Sequence, residues 1–323
     1  MAKAIRIHAT GGPEVLRWEE VEVGRPGPGE ALVRQTAVGL NFLDTYHRSG
    51  LYPLQLPAVI GSEAAGVVEE VGPGVAEVRP RDRVAYAGVA GAYAEKRLIA
   101  ADRLVPLPPA IDDRTAAAAM LKGMTAQYLL RRTCPVAAGD AVLIHAAAGG
   151  VGLIACQWAK KLGAVVIGTV STEAKAKLAR EHGCEFPIVT GREDFVARVR
   201  AITGGRGVRV VYDSIGKDTW DGSLDCLQPL GMMVTFGNSS GPVPAISPLV
   251  LSAKGSIFLT RPSLMTYVAR RSDLLATAAE LFDVIASGAV KIEINQTYPL
   301  AEAERAHRDL EARRTTGSSV LLP

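Results

Sequence analysis

A doubly wound parallel α/β sheet joined to a smaller, mostly antiparallel β domain is the fold the sequence predicts. Three observations predict it. Between about Asp140 and Thr260, apolar strand-like runs alternate with helical stretches. Before about Arg103, short β-like runs are broken by Gly and Pro, as in GGP, PGPG, VGPG and RPRD. A small-residue turn, Ala147–Gly152, links one of the apolar runs to a helix.

In the N-terminal part, Ala31–Val38, Ala64–Val71 and Arg83–Tyr86 read as strands, with turn chemistry between them. The alternating part opens with a strand, Ala141–Ala146, and a helix, Val151–Leu162. Val165–Thr169 then leads to Glu173–His182, and Pro187–Val189 to Glu193–Thr203. Val208–Asp213, Met232–Phe236 and Ile257–Thr260 continue the strands. Alternation of this length implies a parallel sheet wrapped by helices. Ala141–Ala146 is apolar nearly throughout, as expected of a strand covered on both faces. After Pro262 come an amphipathic stretch, Ser272–Ser287, a β segment near Ile292–Pro299, a helix at Leu300–Arg314 and a strand at Ser318–Leu322. This last region is assigned back to the first domain, giving 1–125 plus 262–323 for one domain and 126–261 for the other.

A chain of 323 residues suits two domains, and 48% apolar residues can fill their cores. Lys and Arg number 36 against 33 Asp and Glu, a net charge of +3 that points away from nucleic acid or an anionic membrane as the main partner. The four cysteines, Cys134, Cys156, Cys184 and Cys226, form no C-x-x-C pair, which argues against a disulfide framework or a zinc lobe and suits a reducing cytosol. The first residues lack an apolar signal-peptide core. Apolar runs such as Ala116–Leu121 fall short of the roughly 20 residues of a membrane span.

The turn reads Ala147-x-Gly149-x-x-Gly152, a form of G-x-G-x-x-G with Ala first. Gly149 lets backbone approach a pyrophosphate, and Gly152 lets the helix pack on the strand. The helix N-terminus offers free N–H groups and a partial positive charge. The strand–turn–helix context gives the pattern its weight. An NAD site places an acid at the end of the next strand, about 20 residues on, for the ribose 2′-OH. Here that strand ends in Ser171 and Thr172, with Lys175 one turn later. Hydroxyl and ammonium groups favour a 2′-phosphate, so the expected cofactor is NADPH. Glu173 is the nearby objection and is expected to point to solvent.

HATGGPEVL, NFLDTYHRSGLYP, GSEAAGVVEEVG, LKGMTAQYLL, HAAAGGVGLIACQWAKKLGA, VVYDSIG, FGNSSGPV, TRPSL and RRTTGSS lie along the whole chain. Together they resemble the signatures of the zinc-free quinone oxidoreductases of the medium-chain dehydrogenase/reductase superfamily, the group that includes zeta-crystallin. The resemblance implies a GroES-like catalytic domain, a Rossmann domain and a cleft between them, with NADPH, homodimers and a cytosolic location. It implies that Asn41 to Tyr46, with Phe42, Asp44 and Thr45 among them, line the cleft beside the nicotinamide, and that Tyr52 shares that wall. Gly150 and Val151 would sit at the pyrophosphate, and Ser171 and Lys175 at the 2′-phosphate. Tyr128, Ile215, Phe236, Gly237, Asn238, Ser239, Arg261, Ser263 and Arg313 match further cofactor contacts. Where relatives carry a Tyr near the adenosine, this chain has Thr190 or Gly191, and Arg192 is expected to substitute.

Zinc-dependent members of the superfamily use a Cys, a His in a G-H-E motif and a further Cys or acid. Here the motif reads Gly61-Ser62-Glu63, the first ligand position falls within Gly39-Leu40-Asn41, and GVAGAYAE replaces the four-cysteine lobe. No metal is expected, since Cys and His are the usual zinc ligands. Without a Lewis acid a plain ketone accepts hydride poorly, whereas a quinone delocalises the charge. The expected activity is therefore reduction of quinones by NADPH, with Asn41 donating a hydrogen bond to the quinone oxygen and Tyr46 and Tyr52 stacking on or bonding to the ring. One- and two-electron transfer both stay open. His47 reads as an exposed loop residue rather than an acid, and His145 as a group that orders the glycine turn.

Two rivals stand beside this reading. One is reduction of an activated C=C bond in an enal or enoyl thioester, although no basic cluster flanks the cleft motifs for a carrier's phosphates. The other is a non-catalytic NADPH sensor. A homodimer is expected to form at the Rossmann sheet edge near Ile257–Thr260, where pairing with a twofold mate removes an open edge.

Overall fold

The computed structural model describes residues 1–323. In chain order the elements begin with β1 (Ala2–Ile7), β2 (Arg17–Val21), β3 (Glu30–Leu40), α1 (Phe42–Ser49), β4 (Ala58–Val59), β5 (Glu63–Val71) and β6 (Arg83–Ala87). They continue with β7 (Lys96–Ala100), β8 (Val105–Pro106), α2 (Asp113–Tyr128), β9 (Ala141–Ile144), α3 (Gly150–Lys161), β10 (Val165–Val170) and α4 (Glu173–Glu181). Next are β11 (Phe186–Val189), α5 (Phe195–Ile202), β12 (Val208–Asp213), α6 (Trp220–Cys226), β13 (Leu227–Thr235), α7 (Leu249–Ala253) and β14 (Phe258–Thr260). The chain closes with α8 (Leu264–Tyr267), α9 (Arg271–Ala286), β15 (Ile294–Pro299), α10 (Ala303–Glu311) and β16 (Ser318–Leu322). Two compact units result: 1–124 with 267–286 and 292–323, and 125–266 with 287–291.

In the first unit a 7-stranded sheet runs β15-β16-β3-β5-β6-β8, with β7 also on β3, beside a 3-stranded sheet β2-β1-β4. Along β3 the buried positions alternate at Ala31, Val33, Gln35 and Ala37, then become continuous towards Leu40. The alternation marks one solvated face, and the continuous part marks burial on both. Ile5, Ile7, Val33, Leu40, Tyr86, Tyr93, Leu104 and Leu321 are among the side chains of its core.

A polar chain crosses that core. Arg48 Nη1 lies 3.0 Å from His307 Nδ1, and Tyr93 Oη lies 3.0 Å from both His307 Nε2 and Asp44 Oδ2. Arg48 also forks onto Glu311 at 3.0 and 2.6 Å. Arginine only donates, so His307 Nδ1 must accept and Nε2 must carry the proton. The Nε2–H then donates to Tyr93, whose hydroxyl donates to Asp44. Burial pushes the Asp44 carboxyl up to about 6, outweighing the hydrogen bonds it accepts. Burial, aided by the Arg48 charge, pushes His307 down to about 3.

The second unit is a six-stranded, all-parallel sheet in the order β11-β10-β9-β12-β13-β14. This is the 3-2-1-4-5-6 order of dinucleotide-binding sheets, so strand order reverses between β9 and β12. Leu143, Ile167, Val211 and Met233 fill its interior with Trp220 and Leu224 of α6. The expected strand Ala141–Ala146 stops at Ile144, because Ala146 turns to φ 52, outside the extended region. The expected helix Leu300–Arg314 divides into a 3-10 turn, Leu300–Glu302, and α10. Strand β13 begins at Leu227, ahead of the expected Met232, by pairing Leu227 with Val208 across a register shift.

The linked carboxyl and imidazole predict a pH signature. A raised acid stabilises the fold below its unfolded value and loses that contribution as pH rises through about 6. A lowered imidazole stabilises the fold above its unfolded value and loses that contribution as pH falls towards 3. The slopes oppose each other between about pH 4 and 6. In urea titrations, Asp44→Asn should expose the His307 slope, with stability rising by about 3 kcal/mol from pH 4 to 6.5 relative to wild type. The same pH profile in both proteins would refute the assignment.

Candidate active site

In the first unit the candidate surface begins at the N-terminus of α1. Asn41 caps the helix, and its own N–H donates to Asp44 Oδ2 at 2.9 Å. The helix ends at Gly50, φ 82, a left-handed conformation that favours glycine. Tyr52 N–H returns to Tyr46 O at 3.1 Å, which brings the Tyr46 and Tyr52 rings edge to face at 5.3 Å. Phe42 lies 6.4 Å from Tyr46, and all three aromatics are half-buried. Thr45 is buried, its hydroxyl donating to Phe42 O.

Two expectations change here. The Asp44 side chain, expected beside the nicotinamide, is 0% exposed and supports α1 from beneath. His47, expected in an exposed loop, lies on α1 and is half-buried, and burial lowers its pKa.

Behind Asn41 lies a buried carboxylate, Glu63. Its Oε2 accepts from Lys122 Nζ and from Asn41 Nδ2, each at 2.9 Å, and its Oε1 accepts from Leu121 N–H at 2.6 Å. Asn41 Nδ2 also lies 3.4 Å from Gly39 O. Both amide hydrogens of Asn41 therefore point into the protein. The Asn41 amide thus donates to Glu63 within the first unit, where the sequence led one to expect a donor to the substrate. Gly39 is required by the same packing, since a Cβ there would fall on Ala117 O and the Glu63 carboxylate. Sequence reasoning missed the Glu63–Lys122 pair. The available signal was one ammonium in the apolar run around Ala116–Leu121, where a charge is buried only with a partner. No group of three or more His, Cys, Asp or Glu side chains is placed to hold a metal ion.

In the second unit the turn after β9 is tied at both ends. Ala147 N–H donates to Thr169 O on β10, and Gly149 N–H to Ala146 O, each at 2.9 Å. An added Cβ at Gly152 would fall on Ala146 O and the Ala147 backbone, so glycine sets how closely α3 approaches. At the N-cap, Gly149, no side chain accepts from the helix, and the first turn carries no acid. The leading N–H groups of an α-helix have no intrahelical partners. Gly150, Val151 and Gly152 thus present a compact, positively polarised donor set that fits a pyrophosphate.

His145 orders this turn from below. Its Nδ1 lies 2.8 Å from Thr169 Oγ1 and its Nε2 2.9 Å from Ser223 Oγ. The Ser223 hydroxyl donates to Asp213 Oδ2 at 2.8 Å, so its oxygen accepts Nε2–H. Burial lowers the His145 pKa, which favours the neutral imidazole, with Nδ1 accepting from Thr169 Oγ1. Asp213 Oδ1 also accepts Ile215 and Gly216 N–H, at 2.7 and 3.0 Å.

Several other predicted cofactor residues follow the sheet's carboxyl edge. Ser171 and Thr172 follow β10, and Thr172 caps α4 by accepting Lys175 N–H at 3.3 Å. Thr190 N–H extends the β11 pairing to Val170 O at 3.0 Å. Ser239 N–H bonds Ser214 O at 3.2 Å, joining the loop of Phe236, Gly237 and Asn238 to that of Ile215. Arg261 Nη1 donates to Thr235 Oγ1 and Gly237 O, both at 3.0 Å, holding that loop from the side of β14. Ser263 is exposed, and Tyr128 is buried at the end of α2. Arg313 belongs to the first unit, exposed after α10 at φ 59.

Comparison with known proteins places this geometry. Residues 27–109 match the alcohol dehydrogenase GroES-like domain, and 150–283 match the zinc-binding dehydrogenase model. A quinone oxidoreductase of Pseudomonas aeruginosa is 55% identical over 100% of both chains. A 2-haloacrylate reductase of a Burkholderia species is 51% identical over 100% of this chain and 99% of its own. The crystal structure of Escherichia coli quinone oxidoreductase complexed with NADPH superposes with a TM-score of 0.98, at 51% identity, over 100% of each chain.

The buried pair makes a direct prediction. Lys122→Met leaves the Glu63 carboxylate uncompensated and should cost about 3–5 kcal/mol in urea denaturation, part of which returns in Lys122→Met/Glu63→Gln. A loss below about 1 kcal/mol would show that the pair is not the anchor described.

Proposed function

Because the chain belongs to the quinone oxidoreductases of the medium-chain dehydrogenase/reductase superfamily, we propose that it is an NADPH-dependent quinone reductase. The observation that carries the cofactor choice is the carboxyl end of β10, where Ser171 and Thr172 stand in place of an acid with Lys175 in the next turn. The N–H groups of Gly150, Val151 and Gly152 hold the pyrophosphate, and Ser171 and Lys175 hold the 2′-phosphate. When bound, NADPH supplies a hydride from its nicotinamide C4.

This chain's own part is binding and orientation. Tyr46 and Tyr52 form an apolar, partly polar wall of a kind that stacks on a planar ring. Glu63, paired with Lys122, accepts from Asn41 Nδ2 and so fixes the Asn41 amide at the start of α1. The resemblance puts the thiolate and imidazole of zinc-dependent members within Gly39-Leu40-Asn41 and at Ser62, and no side chain there has the donor chemistry zinc prefers. The reaction is therefore read as zinc-independent. A quinone suits such a site because it carries accepted charge without a Lewis acid.

A second reading draws on the 2-haloacrylate reductase likeness, which favours an activated C=C bond as acceptor. The homodimer reading is supported by β14, an edge strand whose Phe258 and Leu259 are 56% and 36% exposed. A cytosolic location is supported by four unpaired cysteines, and no helix is long and apolar enough to cross a membrane.

Lys175→Ala should lower the NADPH/NADH ratio of kcat/KM by about tenfold, and an unchanged ratio would refute its role at the 2′-phosphate. With wild-type enzyme, kcat/KM should be higher for 1,4-naphthoquinone than for 2-chloroacrylate. The reverse order would favour the C=C reading. Light scattering at micromolar concentration should return twice the chain mass, and a monomer would refute the dimer.

A further inference from the structure

The acid that weighs against NADPH, Glu173, is not left alone. Strands β10 and β11 run parallel in register, Val170 opposite Val189, and Thr190 N–H still bonds Val170 O at 3.0 Å. The turn after β11 is thereby held beside the turn after β10. Three charges follow in that turn: Arg192, Glu193 and Asp194. Both acids are engaged elsewhere. Glu193 accepts Val189 N–H at 3.2 Å and pairs with Arg198 at 2.8 Å. Asp194 caps α5, accepting Val196 and Ala197 N–H at 2.9 and 3.4 Å. Arg192 instead reaches across to α4, where its Nη1 donates to Glu173 Oε1 at 2.8 Å.

The Arg192–Glu173 pair is 71% and 62% exposed. Exposed pairs contribute little to folding, so fold stability does not account for its placement. Its position does have an electrostatic consequence. Glu173 is two residues from Ser171 and two from Lys175, so its charge bears on whatever those residues bind. A guanidinium cancels that charge and, having five N–H donors, keeps others to offer.

We infer that Arg192 is a specificity-determining residue for the phosphorylated cofactor. It neutralises Glu173 and presents its remaining N–H groups to the 2′-phosphate. The inference rests on the NADPH reading above and adds a residue from β11's turn to it.

The test is equilibrium titration of the purified full-length protein with NADPH and with NADH at low salt, followed by nicotinamide fluorescence. Wild type, Arg192→Ala and Arg192→Ala/Glu173→Gln are compared, with a thermal melt of each to confirm folding. Arg192→Ala should weaken NADPH by about tenfold and leave NADH within about twofold. Adding Glu173→Gln should recover part of the NADPH affinity. Equal losses on both cofactors, or no loss on either, in a background where wild type prefers NADPH, would overturn the role of Arg192 and leave the NADPH reading intact. A wild type without preference would overturn the NADPH reading and the inference with it.

Discussion

A charge taken out of water must find its partners inside the protein, and the first unit is arranged around two such charges. Asp44 and Glu63 are each 0% exposed. Glu63 draws together β5, the end of β3 through Asn41, and α2 through Leu121 and Lys122. Asp44 fastens the N-terminus of α1 and, through Tyr93 and His307, links that helix to α10. Breaking either set leaves a buried group unsatisfied, which costs more than the bond itself contributes. The Tyr46–Tyr52 wall inherits its position from these bonds.

The second unit solves the opposite problem. Its glycine turn leaves the leading N–H groups of α3 without intrahelical partners, while His145 beneath it is hydrogen-bonded through both ring nitrogens. His145, Thr169, Ser223 and Asp213 close a hydrogen-bonded set at the ends of β9, β10 and β12. The leading N–H groups of α3 are thus held in a fixed geometry, and on the proposed reading little reorganisation is required when a phosphate binds there.

Much of this was legible in the sequence. The alternation from Asp140 to Thr260 carried the parallel sheet, because strands covered on both faces are apolar throughout. The turn at Ala147–Gly152 was legible as local structure, because so close an approach of helix to strand demands small residues. What escaped was long-range pairing. Glu63 and Lys122 lie 59 positions apart, and their contact depends on how α2 packs across β5. The direction of the Asn41 amide escaped for the same reason, since one residue's donors are assigned by a neighbour the local pattern does not contain. His47 was misplaced because α1 is only 8 residues long and rests on its cap rather than on a long apolar period.

The central claim is that NADPH reduces a quinone on this protein without help from any other electron carrier. Stopped-flow mixing of enzyme preloaded with NADPH against 1,4-naphthoquinone tests it most directly. The account predicts quinone-dependent loss of the nicotinamide absorbance, one NADPH consumed per two electrons accepted, and a much slower reaction when NADH replaces NADPH. Nicotinamide oxidation that ignores the quinone, or that proceeds equally fast from NADH, would contradict it.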